Sequence, residues 1–312
     1  MYRQILAEMA SKTWAVDHRW LASIAGKLEA GHTVAVHSRR PSVSQSVAVI
    51  PIHGPITQRG FMGGMFGGTS TQDLLSAFHR AVGSDRVKSI VFDIDSPGGT
   101  VDGVEEAADA IFGSRGSKPI VAVANSQAAS AAYWIGSQAD KFVAAPGAEA
   151  GSIGVFRMHQ DISASMANEG VKVTFIRTPK FKVEANPFEP LSEEAAAHHQ
   201  EQVDATYDAF NSAVARGRGL SAKDARTNFG EGRSFDARQA QKMGMVDSVA
   251  TMSQTLRSFG VGSGIGLSQA DADLTAILCE DYGLAAPEAR SSRKSKDVLR
   301  RKIRLTERRV GL

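Results

Sequence analysis

The chain has 312 residues, of which 42% are hydrophobic and 22% are charged. These fractions are typical of a globular protein, and no apolar run approaches the roughly 18 residues of a membrane span. The first twenty residues carry charges where a secretory signal needs an uninterrupted apolar stretch. We therefore expect a protein of the cytoplasm without a membrane anchor. Its single cysteine, Cys279, excludes a disulfide within the chain and a cysteine-based zinc site.

Positive charge is concentrated at the end of the chain. Residues 290–312 contain ten Lys and Arg but only two acidic residues, a net charge of +8. Since the whole chain carries +3, the other 289 residues carry −5. This distribution argues against a nucleic-acid groove in the folded part and leaves the basic tail as the one segment suited to DNA or to an acidic partner. A solvated tail is the simpler interpretation.

The first half of the chain alternates between helical and extended patterns. Its predicted elements are helices over 2–10 and 16–28, a strand over 47–52, a glycine-rich loop over 60–68, a helix over 71–82, a strand over 87–94, a helix over 101–112, a strand over 119–124 and a helix over 131–138. Short apolar strands that alternate with helices predict an α/β fold with a mostly parallel sheet. The loops after its strands then lie along one rim.

The second half continues this alternation with longer helices. We predict a strand over 153–158, a helix over 162–169, a strand over 171–177, a long helix over 191–214 and a short helix over 221–227. Ser192 caps the long helix, and two glutamates in its first turn complement the helix dipole. The glycines beyond about 260 predict a linker.

Two loops on this rim carry the features that point to chemistry. The first is Asp95-Ser-Pro-Gly-Gly99, where bare backbone N–H groups can approach a ligand closely. The second is Ser130, which lies among alanines at the start of a helix. Donors from Gly98, Gly99 and Ala131 beside a serine would form an oxyanion hole. Taken singly, however, a tight glycine turn and a serine helix cap explain these residues as well.

The motifs together resemble the SppA-type serine peptidases, peptidase family S49, which share the fold of Clp proteases and crotonases. The matching segments, which span roughly residues 47–249, are Asp95-Ser-Pro-Gly-Gly99, Ala128-Ala-Ser-Ala-Ala-Tyr133, Ala139-Asp-Lys141, Gly151-Ser-Ile-Gly-Val155, Gly232-Arg-Ser-Phe-Asp-Ala-Arg-Gln-Ala240 and Gly244-Met-Val-Asp247. The resemblance implies four regions, an N-terminal helical extension, a peptidase domain, a linker with a short helical region and a basic tail, over residues 1–46, 47–250, 251–289 and 290–312.

The resemblance also implies a Ser/Lys dyad. Ser130 takes the place of the nucleophile, and Lys182 that of the base, with Lys180 as its competitor. Ser152 takes the place of the residue that orients the lysine. Such a dyad requires a neutral lysine, which burial away from carboxylates favours. The reaction implied is peptide hydrolysis through an acyl-enzyme, with no metal and no cofactor.

Histidines offer an ordinary triad as a rival. His53 lies at a predicted strand end, and His198 and His199 lie on a predicted helix. The pair falls on the polar face of that helix, and we interpret both His53 and the pair as solvated. No histidine spacing predicts a zinc site.

Within the family, the stretch Lys182-Val-Glu-Ala-Asn-Pro-Phe188 resembles the capsid assembly proteases of tailed phages. This implies a homo-oligomeric protease of the host cytoplasm or the phage prohead that cleaves scaffold, portal or capsid proteins, or itself. A peptidase that degrades signal-peptide remnants or small-residue peptides is one alternative. A non-catalytic oligomeric capsid-assembly protein is the other.

Overall fold

The computed structural model describes residues 12–29, 40–44, 46–59 and 67–261. The predicted helix over 2–10, most of the predicted glycine-rich loop over 60–68, Cys279 and the basic tail lie outside these residues.

The elements of the first half are, in chain order, β1 (Thr13–Val16), α1 (His18–Glu29), β2 (Ser42–Ser44), β3 (Val47–His53), β4 (Ile56–Thr57), β5 (Thr69–Ser70), α2 (Thr71–Gly83), β6 (Ser89–Ser96), β7 (Gly98–Thr100), α3 (Val104–Gly113), β8 (Ile120–Ala129) and α4 (Ala131–Gly136). The second half adds β9 (Lys141–Ala144), β10 (Glu149–Gly151), β11 (Phe156–Arg157), α5 (Ser163–Asn168), α6 (Glu193–Arg218), α7 (Ala222–Asn228), β12 (Ser234–Asp236), α8 (Ala237–Lys242), β13 (Ser248–Val249) and α9 (Met252–Ser258).

A large, mostly parallel sheet forms the centre of the molecule. Its strand order is β12-β10-β8-β6-β3-β2, and β9 pairs with β8 and β13. Among the strands that the structure describes in this sheet, only the edge strands β2 and β12 run antiparallel to their neighbours. The predicted fold class, an α/β fold with a mostly parallel sheet, flanking helices and a long helix after Lys182, is therefore confirmed.

The two faces of this sheet are covered differently. Because side chains alternate along a strand, Ile50 and Phe92 point into the main core, which also includes apolar residues of α2, α3, α4 and α6. Val49 and Val91 point the other way, where they pack beneath α9 and Val261. The nucleophile region lies at the carboxyl end of β8, on the rim that the sequence predicts.

A second, small sheet lies beside that rim. Its order is β11-β1-β7-β4-β5, and β1 runs antiparallel to both β7 and β11. Residues 13–16 therefore do not belong to a purely helical extension, which is the interpretation that the sequence favours for residues 1–46. The structure pairs them directly with the glycine turn.

The predicted strand over residues 171–177 is wrong, because these residues have no regular structure. A strand needs a neighbour to satisfy its backbone groups, and among the described residues none pairs with this stretch. The predicted strand over 153–158 shortens to β11. The long helix predicted over 191–214 is observed as Glu193–Arg218. The Ser192 hydroxyl accepts a bond from the Ala195 N–H at 3.2 Å, and Gly219 caps the other end in the left-handed conformation.

Candidate active site

Ser130 occupies a sharp turn between β8 and α4. Its backbone angles, φ 56° and ψ −119°, belong to a region that non-glycine residues rarely adopt. The residue is fully buried, and its N–H donates to the Gly151 carbonyl at 2.8 Å. Its hydroxyl donates to the Gly154 carbonyl at 3.3 Å. A serine kept in a costly conformation by its surroundings is typical of a functional position.

The glycine turn lies directly against Ser130. A Cβ on Gly98 would come within 2.9 Å of the Ser130 Cβ, and one on Gly99 would lie 1.7 Å from the Ile56 carbonyl oxygen. Both positions therefore require glycine. The Gly98 N–H donates to the Ser96 hydroxyl at 3.1 Å, and that hydroxyl donates to the Gly54 carbonyl at 2.6 Å. Ser96, to which the sequence analysis gives no role, thus fixes the turn.

Strand β1 lies along this turn. The facing pairs with β7 are Trp14 with Thr100, Ala15 with Gly99 and Val16 with Gly98, and on its other edge Trp14 faces Phe156. The Asp17 N–H extends the ladder by donating to the Pro97 carbonyl at 2.7 Å. A four-residue strand before a helix carries too short a pattern to be predicted, so the sequence analysis missed it.

Both ends of β1 are held by charged side chains. At the start, Lys12 Nζ lies 3.2 Å from Asp102 Oδ2. At the end, the guanidinium of Arg19 reaches both Asp17 (2.7 Å) and Glu149 (2.6 Å). Burial of the Asp17 carboxyl raises its pKa, but the hydrogen bonds and the charge of Arg19 outweigh burial, so the pKa lies below its ordinary value.

Ser152 lies on the next strand connection. Its φ is 54°, and its N–H donates to the Arg233 carbonyl at 2.8 Å. It lines a cavity of about 520 Å³ together with Val16, Gly154, Phe156 and residues of α6 such as Tyr207. Since Gly154 also accepts the Ser130 hydroxyl, this cavity adjoins the serine.

Lys182 forms no hydrogen bond with this cluster in the described part of the chain. It is exposed, in a turn whose backbone bond runs from its N–H to the Pro179 carbonyl at 3.1 Å. No hydrogen bond or ion pair joins its side chain to any other residue that the structure describes. Lys180, its competitor, forms an ion pair with Glu194 at 2.6 Å and lies over the ring of Phe181. The structure therefore brings Ser130, Gly98, Gly99, Ala131 and Ser152 together, and it shows no hydrogen bond or ion pair between either lysine and these residues.

The segment that carries Lys182 exposes apolar side chains. Across the described ranges, four of the five large hydrophobic residues with the highest exposure lie between positions 171 and 191, namely Val171, Ile176, Phe181 and Leu191. The fifth is Leu220. Such a concentration is typical of a surface that a protein partner covers.

Comparison with known families identifies the region around Ser130. Residues 114–265 match the family model described as Peptidase family S49. This region of the chain is therefore similar to the peptidases of family S49. The S49 region contains β8, the strained serine, Ser152, the exposed lysine segment and the long helix, and the resemblance that the sequence motifs predict is confirmed.

Curated relatives extend beyond the S49 region. The chain is 32% identical over 217 residues to "Head-tail preconnector protein GP5" of Enterobacteria phage P21, covering 69% of this chain and 42% of that protein. It is 28% identical over 220 residues to "Capsid assembly protease C" of Escherichia phage lambda, covering 70% and 50% respectively. "Protease 4" of Haemophilus influenzae is 26% identical, with 69% and 34% covered. The chain thus spans half or less of the length of these relatives.

A similar solved structure is that of a mutant of the "1510-N membrane-bound stomatin-specific protease". It has a TM-score of 0.44 and 19% identity, and the match covers 69% of this chain and 84% of that one. In the described part of the present chain, no helix combines the length and the apolar character that a membrane span needs.

The three candidate histidines, His53, His198 and His199, form no hydrogen bond with Ser130 in the described part of the chain. The interpretation of His53 as solvated is wrong, because its side chain is only 15% exposed and its Nε2 lies 3.2 Å from Asp93 Oδ2, on the side of the sheet that carries Val47 and Val49. His198 and His199 lie on α6, where both contact Gln202. Neither arrangement therefore forms a Ser-His pair with Ser130. No group of three or more His, Cys, Asp or Glu side chains among the described residues is placed to bind a metal ion.

Proposed function

We propose that this protein is a serine endopeptidase that uses Ser130 as nucleophile and Lys182 as base. The observation that carries the proposal is the strained, buried Ser130 beside a turn that admits only glycine. A neutral Lys182 amine accepts the hydroxyl proton while Oγ bonds to the substrate carbonyl carbon. The peptide C–N bond then breaks, the proton passes to the leaving amine, and water hydrolyses the acyl-enzyme.

Backbone N–H groups of Gly98, Gly99 and Ala131 are the proposed donors to the oxyanion. Their closeness to Ser130 supports the assignment. Because the Gly98 N–H donates to Ser96, it must turn from that hydroxyl before it can take part. Ser152, on the wall of the adjoining cavity, is the residue proposed to orient the lysine.

Lys182 rather than Lys180 is the proposed base. The amine of Lys180 is engaged in an ion pair with Glu194 at 2.6 Å. Lys182 lacks such a partner among the described residues.

We further propose that the enzyme works as a homo-oligomer in which the lysine segment of one copy completes the serine site of another. The exposure of Lys182 and of the apolar residues around it supports this arrangement. Covering the segment would remove its apolar surface from water and would also give Lys182 the dry surroundings that favour a neutral amine.

The proposed substrates are phage head proteins, namely scaffold, portal or capsid proteins or the protease itself, in the host cytoplasm or the prohead. The names of the two phage relatives support this role. A peptidase of other cellular polypeptides is the second candidate, and the similarity to Protease 4 favours it.

Three single variants test the dyad. Ser130→Ala and Lys182→Ala should each lower cleavage of a co-expressed head protein at least about 1,000-fold, as removal of a nucleophile or base does in other hydrolases. Lys180→Ala, the matched control, should retain cleavage. Mass spectrometry of the head proteins is the readout, and processing that persists in either dyad variant would contradict the proposal.

Mixing the two inactive variants tests the arrangement between copies. If serine and lysine come from different subunits, co-assembled Ser130→Ala and Lys182→Ala chains regain part of the activity. If both residues act within one chain, every site in the mixture lacks one of them and the mixture stays inactive.

A further inference from the structure

We infer that the groove between β7 and β11 is the peptide-binding groove of this enzyme, and that residues 13–16 of the chain occupy it as an internal pseudosubstrate. The inference rests on the proposed function and specifies how its substrate binds. Strand β1 pairs with both β7 and β11 and runs antiparallel to each. Because β1 fills the space between these two strands, another polypeptide can bind there only after β1 leaves.

The glycine wall is the first reason. The backbone of β1 pairs with Gly98 and Gly99, the residues whose side chains are excluded by close contacts around Ser130. Two backbone hydrogen bonds flank this stretch of the ladder: the Val101 N–H donates to the Thr13 carbonyl at 3.3 Å, and the Asp17 N–H donates to the Pro97 carbonyl at 2.7 Å. Since hydrogen-bonded pairs alternate along an antiparallel ladder, Ala15 and Gly99 form the hydrogen-bonded pair between them. The backbone of β1 is therefore paired with Gly99, one of the proposed donors to the oxyanion.

The position of one carbonyl group is the second reason. The place that a Cβ on Gly98 would occupy lies 2.2 Å from the Ala15 carbonyl oxygen and 2.9 Å from the Ser130 Cβ. The Ala15 carbonyl is consequently close to the serine. A strand that brings a carbonyl to the nucleophile and its backbone to the glycine turn has the arrangement of a bound peptide, which is recognised by strand addition.

The side chains of β1 define the class of ligand. Ala15 is fully buried within the main core, so the position beside Ser130 accepts only a small residue. Val16 instead borders the cavity of about 520 Å³, so the following position accepts a larger one. The groove thus suits an extended polypeptide with alanine or a similarly small residue before the position that Val16 occupies.

The attachment of β1 outside the groove explains how it is retained and how it can be released. Arg19, which contacts neither β7 nor Ser130 by a hydrogen bond, ties Asp17 to Glu149. Because its side chain is 54% exposed, the tie is open to competition from water and from other polypeptides. Loss of this tie should release the strand without touching the proposed dyad.

A binding assay tests the inference without catalysis. The full chain carries Ser130→Ala, so that the probe stays intact, and the probe is a dansyl-labelled peptide with the sequence of residues 11–18, Ser-Lys-Thr-Trp-Ala-Val-Asp-His. Arg19→Ala should tighten probe binding about tenfold, because apparent affinity rises with the fraction of chains whose groove is free. Arg238→Ala, which removes another exposed arginine, should leave the affinity for the probe unchanged.

A disulfide lock provides the second variant, in case Arg19→Ala disturbs folding. Thr13 and Arg157 face each other across β1 and β11, so Thr13→Cys with Arg157→Cys, in a Cys279→Ser background, can fix β1 in place. The oxidised protein should bind the probe at least tenfold more weakly than the reduced protein. A probe with leucine in place of the alanine should bind at least tenfold more weakly than the original.

Equal probe binding by the oxidised and reduced proteins would overturn the inference, and so would equal affinity of the Arg19→Ala and parent proteins. Either result would make β1 an ordinary structural strand. Because binding is measured in a chain that cannot react, a failed cleavage experiment refutes the proposed function without affecting this outcome.

Discussion

The two halves of the proposed dyad lie in opposite kinds of structure. The serine half, which we define as Ser130 with Gly98 and Gly99, is buried and fixed by backbone contacts that leave no room for a Cβ on either glycine. The lysine half, residues 171–191, lacks regular structure over its first seven residues and exposes four large apolar side chains. One chain therefore builds one half of the site completely and the other half incompletely.

The contrast follows from where each half obtains its packing. Ser130 is held by the carboxyl end of a central strand and by a short helix that both belong to the core, so the fold of the single chain covers the cost of its unusual backbone angles. Residues 171–191 have no such neighbours among the described residues. We propose that a second copy of the chain supplies these neighbours in the active enzyme.

Breaking the serine half should have the largest effect on stability. In Gly99→Ala the new Cβ would lie 1.7 Å from the Ile56 carbonyl oxygen, so two backbone segments must move apart. We expect the free energy of unfolding to fall by roughly 3 kcal/mol, the upper part of the usual range for overpacking. Urea denaturation of the purified variant measures this change.

Gly113→Ala is the matched control for this substitution. Gly113 ends α3, and apart from its chain neighbours and the backbone of its own helix no atom lies within 4 Å of the place of its Cβ. Alanine has the higher helix propensity, so the free energy of unfolding should rise slightly or stay the same. If Gly99→Ala were as stable as Gly113→Ala, the close packing that we assign to the serine half would be wrong.

Substituting the exposed apolar residues of the lysine half should weaken assembly and leave folding unchanged. Ile176→Ser with Phe181→Ser removes two exposed apolar side chains, which would contribute about 2 kcal/mol together if a neighbouring copy covers them in part. The dissociation constant of the oligomer should rise about 30-fold. Sedimentation over a range of concentrations gives this constant.

Leu220→Ser provides the comparison, because Leu220 is exposed but lies outside the lysine half. It should leave both assembly and peptide cleavage unchanged. If the oligomer persisted in the double variant but dissociated in Leu220→Ser, the interface would lie at the carboxyl end of α6 and would not include the lysine half.

Sequence patterns predict the parts of this molecule that rest on local periodicity. The strands β3, β6 and β8 and the helices α2, α3 and α6 follow from apolar repeats, since each buries one face or both against its neighbours. The stretch 171–177 has the same strand-like composition but no partner strand among the described residues. Composition alone does not reveal whether a neighbour exists, so this prediction failed.

The site divides in the same way. Ser130 and the two glycines are recognisable because short motifs report local backbone geometry, such as a turn that excludes side chains. The place of β1 is different, because its pairing with β7 joins residues more than eighty positions apart through backbone atoms. Trp14, Ala15 and Val16 look like an ordinary apolar run. Only the folded chain relates them to Ser130.

The smallest expected effect concerns pH and the attachment of β1 to the serine half. The pKa of Asp17 lies below its ordinary value of 3.8, so the folded protein favours its charged form. This stabilisation is complete above pH 3.8 and is lost as pH falls through the lower value of the folded state.

We expect Asp17→Asn to lower the free energy of unfolding by about 1 kcal/mol at pH 6, because Arg19 is half exposed and water screens the pair. Urea denaturation of both proteins from pH 6 to about pH 2.5 should show the difference shrinking toward the acid end. A difference that stays constant over this range would mean that the carboxylate charge does not hold β1 in place.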